Sequence, residues 1–123
     1  MERILAIIGS SFGFLAVLLG AFGAHALRER LAPADLEIFE TAARYQMYHA
    51  LAILFVAAVV GRQPGALGSW AGWAFVLGTL VFSGSLYLLV GTGIRGLGAI
   101  TPIGGLSLLA GWALLIAHLV RMR

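Results

Sequence analysis

Charged residues occur along this chain in short groups, and four long uncharged stretches lie between them, at residues 4–27, 45–61, 63–94 and 96–120. A helix needs roughly 18–20 apolar residues to cross about 30 Å of hydrocarbon. Each stretch comes close to that length or exceeds it. The pattern therefore predicts an all-α integral membrane protein, a single domain over residues 1–123 with four transmembrane helices in an antiparallel bundle.

Prolines and glycines refine the helix bounds, which we predict at residues 4–26, 33–61, 69–90 and 101–120. Pro33 suits the first position of a helix, where its missing amide costs nothing. At the start of the fourth helix, Thr101 is the expected N-cap and Pro102 the first helical residue. Residues 91–100, with four glycines and a single charge, are predicted to form an apolar loop.

The second helix begins with an amphipathic segment at residues 33–44. Its polar residues recur at four-residue spacing, which places them on shared faces of a helix. Asp35 and Glu37 suit the positive end of the helix dipole. We expect this segment to lie at the membrane interface and the helix to enter the bilayer after Tyr45.

Composition agrees with a membrane protein, since 61% of residues are hydrophobic and only 11% are charged. A soluble domain carries about a quarter charged residues. All eight basic residues are arginine and the net charge is +3, but the arginines stand singly or in pairs at the ends of apolar stretches. Nucleic-acid-binding proteins gather them into one patch, so we predict membrane lipid and no nucleic acid as a partner. Cysteine is absent.

Polar side chains gather in the half of the predicted bundle opposite the termini. The candidate cluster consists of His25, Arg44, Tyr45, Gln46, His49, Ser83, Ser85, Tyr87, Arg95 and Thr101. Two interpretations remain open. These groups either hydrogen-bond across helices and fix their packing, or they line a water-accessible pocket, because ionisable groups at membrane depth indicate function by default. The pocket would face the N-terminus of the fourth helix, which favours an anion.

Each interpretation implies a different function. In the first function, the cluster binds a small polar or anionic ligand or a lipid head group, in a minimal transporter or channel component that forms a homo-oligomer. In the second, the protein is a structural or assembly factor. No Ser-His-acid set and no histidine spacing typical of a metal site occurs in the sequence, so we predict no enzyme, no catalytic or metal-binding residues and no cofactor.

Four segments carry a resemblance to a known family. They are residues 20–27 (GAFGAHAL), 43–54 (ARYQMYHALAIL), 77–87 (LGTLVFSGSLY) and 101–114 (TPIGGLSLLAGWAL). Together they resemble the YgdD-like family of small inner-membrane proteins, a domain of unknown function. The resemblance covers essentially the whole chain. It implies a four-span protein of the bacterial plasma membrane and no assigned activity, substrate or cofactor.

Overall fold

The computed structural model describes residues 1–123 and contains helices but no strand. Its four long helices are α1 (Glu2–Phe22), α2 (Pro33–Arg62), α3 (Ala66–Thr92) and α4 (Thr101–Arg121). Each is long and apolar enough to cross a membrane. The predicted all-α, four-span fold is therefore confirmed, and the predicted helix bounds agree closely with the observed ones.

The two middle helices form the centre of the bundle. α2 packs against α3, α1 packs on α2, and α4 packs on α3, whereas α1 and α4 barely contact each other. The outer helices therefore expose broad apolar faces, as Phe14 of α1 (70% exposed) and Val120 of α4 (78%) illustrate. In a bilayer these faces contact lipid tails, which are as apolar as the side chains.

The apolar core lies in the half of the bundle nearer the termini, where Leu5, Ile53, Val56 and Phe75 are fully buried. Small residues allow the backbones to approach closely around it. At Gly104 of α4, a Cβ atom would meet the backbone nitrogen of Phe82 and lie 2.8 Å from its Cα. Only glycine fits at this crossing of α3 and α4, because a Cβ would overlap the backbone of α3. Helices in lipid associate through such close packing.

The amphipathic start of α2 continues into the span as one unbroken helix. Thirty residues at 1.5 Å each give about 45 Å, which is longer than the hydrocarbon core. Phe39, near this start, is buried against Gly23 and packs edge-on against the Tyr87 ring at 5.3 Å. The segment at residues 33–44 thus packs on the mouth of the bundle.

The connection between α3 and α4 corrects the predicted loop at residues 91–100. α3 extends to Thr92 and ends at Gly93, whose φ of 74° is left-handed and whose amide donates to Leu89 O at 2.8 Å. This is the usual glycine end of a helix. Residues Arg95–Ala99 then form a 3₁₀ helix. An apolar connection at the membrane gains from pairing its amides internally, because it meets little water.

Candidate functional site

Gln46 links three helices through its side-chain amide. Its Nε2 donates to the backbone oxygen of Phe12 in α1 at 2.9 Å, and its Oε1 accepts from the Tyr87 hydroxyl of α3 at 2.8 Å. A carbonyl oxygen can only accept, so the amide nitrogen must face Phe12. Gln46 is 6% exposed, and both ends of its amide are paired.

Ser83 and Ser85 of α3 bind in opposite directions. Ser83 donates to the backbone oxygen of Ala42 in α2 at 2.7 Å. Ser85 donates to Phe82 O at 2.9 Å and lies 2.6 Å from the Thr101 hydroxyl of α4. Since the Ser85 proton points to Phe82, the Thr101 hydroxyl donates in the second contact. The serines thereby tie α3 to both of its neighbours.

Thr101 is not the side-chain N-cap that the sequence predicts. Residue Ile100 already has helical φ and ψ angles, and Ile103 N donates to its oxygen at 3.0 Å. The 3₁₀ helix therefore leads directly into α4, which needs no side-chain cap there. The Thr101 hydroxyl is left free to reach Ser85.

His49 uses both ring nitrogens in hydrogen bonds within the protein. Nδ1 lies 2.8 Å from the backbone oxygen of Tyr45, and Nε2 lies 3.2 Å from the indole nitrogen of Trp112. An indole N–H can only donate, so Nε2 accepts and Nδ1 carries the proton. His49 is a neutral imidazole that links α2 to α4, with neither nitrogen free for a metal or a substrate.

Trp112 belongs to this cluster although the sequence did not predict it there. Unlike Trp70 and Trp73, which lie near the start of α3, it stands in the middle of its span. In hydrocarbon, an indole N–H at that depth needs an acceptor because no water can replace one. The position of Trp112 was therefore a signal that an acceptor on another helix would face it.

The predicted single pocket is divided between two sides of the α2–α3 pair. A cavity of about 220 Å³ between α1 and α3 has a mainly apolar lining, which includes Phe12, Leu15, Leu19 and Leu80, together with the polar residues Gln46, Thr79, Ser83 and Tyr87. A second cavity of about 520 Å³ lies between α2 and α4, beside Tyr45, His49, Phe82 and Trp112. Ser83 and His49 thus face different cavities, because their helices present them to opposite neighbours.

Three predicted members lie outside the cluster. His25 is exposed on a π-helical turn, Gly23–Leu27, that ends the first span. Arg44 is also exposed and forms no ion pair; it directs its charge away from the bundle, as arginines near span ends do. Arg95 binds Asp35 through both oxygens at 2.8 and 3.3 Å. None of these three residues hydrogen-bonds to the other members of the cluster, and their role in ligand binding stays a prediction.

Comparison with known proteins places the chain among small membrane proteins. The family described as "Protein of unknown function (DUF423)" matches residues 19–105. The UPF0382 membrane protein of Staphylococcus haemolyticus is 45% identical over 114 residues, which are 93% of each chain. The UPF0382 inner membrane protein YgdD of Escherichia coli is 39% identical over 122 residues, 99% of this chain and 93% of that one. No solved structure matches the chain.

Proposed function

Since the chain belongs to the DUF423 family of bacterial inner-membrane proteins of unknown function, we propose that it is a non-enzymatic structural or assembly protein of the plasma membrane. Its polar cluster fixes the packing of the four helices. The observation that carries this proposal is the amide of Gln46, which joins α1, α2 and α3 with both ends paired.

The other members of the cluster support the same role. Their polar side-chain atoms form hydrogen bonds with neighbouring helices or with the backbone. These residues are Ser83, Ser85, Thr101, His49 and Trp112. In a bilayer each of these bonds that joins two helices contributes about 0.6–2 kcal/mol to helix association. None of these hydroxyls is hydrogen-bonded to His49, so the cluster lacks the nucleophile–base pair that covalent catalysis uses.

A second function, binding of a small polar ligand or lipid head group, is favoured by one observation. The hydroxyl of Thr79 is buried without a hydrogen-bond partner, and Thr79 lines the α1–α3 cavity together with Gln46 and Tyr87. A buried, unpaired hydroxyl costs about 1–3 kcal/mol. A ligand or ordered water in the cavity would remove that cost.

Thr79→Val separates the two functions, because valine has the shape of threonine without the hydroxyl. If the cavity takes no ligand, the variant should unfold at the same temperature as wild type or higher. The measurement is thermal unfolding in detergent micelles, alone and with phosphoethanolamine, glycerol 3-phosphate or glycerol. A compound that raises the Tm of wild type but not of Thr79→Val would overturn the structural role in favour of ligand binding.

A further inference from the structure

Three helix ends meet at the rim of the bundle that carries both termini. α2 ends at Arg62, α3 begins at Ala66 and α4 ends at Arg121. Between the turn after α2, the start of α3 and the end of α4 lies a cavity of about 280 Å³, lined by Pro64, Gly65, Ala66, Leu67, His118 and Arg121. It is far from the polar cluster, which occupies the opposite half, so a site in this cavity is independent of the proposed function.

The first turn of α3 offers unpaired amides to this cavity. The first backbone bond of the helix is Ser69 N to Gly65 O at 3.2 Å, and no side chain caps the helix. The amides of Ala66, Leu67 and Gly68 therefore lack acceptors. With the positive end of the helix dipole, such amides favour an anion.

His118 provides an independent indication of a ligand. It is 6% exposed, yet its Nε2 is buried without a hydrogen-bond partner. The ring lies on the first turn of α3, since a Cβ at Gly65 would be 2.8 Å from its Cε1 and one at Gly68 3.2 Å from its Nδ1. Glycine at both positions leaves room for the imidazole. The Nδ1 edge of this buried imidazole, which has no hydrogen-bond partner in the protein, therefore meets the cavity at the first turn of α3, and a buried polar group without a partner carries a desolvation cost.

The charge around the cavity is positive. Arg121 lines the cavity, and Arg62 is the last residue of α2, just before the turn that carries Pro64 and Gly65. The acid at this end of the bundle, Glu2, lies 3.6 Å from the N-terminal amine and is paired there. Trp70, 70% exposed one turn into α3, marks the membrane interface at this level. The cavity is thus at the depth of lipid phosphates.

We infer that this cavity binds a phosphate group, held by the free amides of α3, the Nδ1–H of His118, which lies against the first turn of α3, and the guanidinium of Arg121. A phosphate has the several acceptor oxygens that this set of donors requires, and arginine pairs with it through parallel hydrogen bonds. The phosphate comes either from a phospholipid head group in this leaflet or from free phosphate in the adjoining water.

The test uses the full chain in uncharged detergent micelles at constant ionic strength. Three probes are added separately: inorganic phosphate, phosphatidylglycerol, and diacylglycerol with the same acyl chains but no phosphate. We expect inorganic phosphate, phosphatidylglycerol or both to raise the Tm of wild type in a saturable way, and diacylglycerol to leave it unchanged. A response to phosphatidylglycerol alone assigns the lipid as the source, and a response to inorganic phosphate assigns the free anion.

Three variants identify the donors. Arg121→Gln removes the guanidinium, His118→Phe removes the ring nitrogens, and Ala66→Pro removes one amide at a position where proline suits a helix. Each should weaken binding of the active probe roughly tenfold, as expected for the loss of one charge-assisted hydrogen bond. Arg123→Gln, which removes an equal charge from a residue outside the cavity, should leave binding unchanged.

If His118→Phe fails to fold, the Arg121→Gln and Ala66→Pro variants still test phosphate binding, because Arg121 is exposed and proline suits the helix start at Ala66. The site is ruled out if neither phosphate probe shifts the wild-type Tm. It is also ruled out if Arg121→Gln and Ala66→Pro bind as tightly as wild type, or if Arg123→Gln weakens binding as much as Arg121→Gln does.

Discussion

At the scale of single residues, His49 shows how the membrane-embedded polar groups are used. Its ring accepts from Trp112 on one side and donates to Tyr45 O on the other, so the imidazole is held in one tautomer. In hydrocarbon, a polar group that loses its partner finds no water as a substitute. The bond therefore specifies how α4 sits against α2.

Replacement of the indole tests this bond directly. In Trp112→Phe the aromatic packing on Phe75, now at 4.9 Å between ring centroids, is largely kept, while the donor to His49 is lost. We expect a loss of about 0.5–1.5 kcal/mol in the free energy of unfolding. Nitrogen-15 NMR of the histidine side chains should show His49 as the Nδ1–H tautomer in both proteins, because Tyr45 O still accepts that proton, with the Nε2 resonance shifted in the variant by loss of its donor. An unchanged His49 spectrum would contradict the assigned bond.

The residue types of the cluster could be predicted from the sequence, but their partners could not. Helical spacing correctly separates Ser83 from Ser85, because two residues on a helix turn the side chain by about 200°. Helical spacing does not show how one helix is rotated relative to the next. The exposed positions of His25 and Arg44 could therefore not be predicted from the sequence. The backbone acceptors Phe12 O and Ala42 O carry no sequence signal at all.

At the scale of helices, close packing depends on particular glycines. Gly104 of α4 lies against the backbone of Phe82 in α3, whereas a Cβ at the adjacent Gly105 would be 3.9 Å from the Phe82 ring, an ordinary contact. The two positions therefore differ in packing although they are neighbours in sequence.

This pair provides a matched prediction. Gly104→Ala should lower the free energy of unfolding by about 1–3 kcal/mol, because the added methyl forces α3 and α4 apart. Gly105→Ala should change it by less than about 0.5 kcal/mol, with a small gain in helix propensity. Both are measured by unfolding in mixed micelles. Equal effects of the two substitutions would show that the α3–α4 crossing is looser than described.

Helix bounds were the most predictable feature, because charges and prolines mark where the chain leaves the bilayer. Pro33 begins α2 as predicted, and the helix ends at Arg62, one residue beyond the predicted end. The connection at residues 91–100 was harder to predict, since glycines indicate a turn in water. At the membrane the same residues form a 3₁₀ helix that pairs its own amides.

At the scale of the whole molecule, the four helices form two hairpins joined through α2 and α3. α1 and α4 stand on the outside with little contact between them, which leaves a cavity on each side of the central pair. The predicted homo-oligomer stays a prediction.

Disulfide crosslinking tests this arrangement, because the chain has no cysteine of its own. A Cβ at Gly13 would lie 3.8 Å from that of Ala50, close to the spacing in disulfides. Gly13→Cys with Ala50→Cys should therefore form an intramolecular bond under mild oxidation. Gly13→Cys with Leu109→Cys, at a similar depth in α1 and α4, should not. Rapid intramolecular crosslinking of the second pair, read by mass spectrometry, would indicate a closed bundle instead.

The central claim is that the polar cluster holds the helices together, and a double-mutant cycle on Gln46 and Tyr87 tests it most directly. Gln46→Met and Tyr87→Phe keep the side-chain size while they remove the shared hydrogen bond. Unfolding in mixed micelles should give a coupling energy of about 0.6–1.7 kcal/mol between them. Tyr87→Phe combined with Ser107→Ala, whose hydroxyl binds Ala74 O elsewhere in the bundle, should be additive. Additivity within about 0.3 kcal/mol for Gln46→Met with Tyr87→Phe would contradict the account.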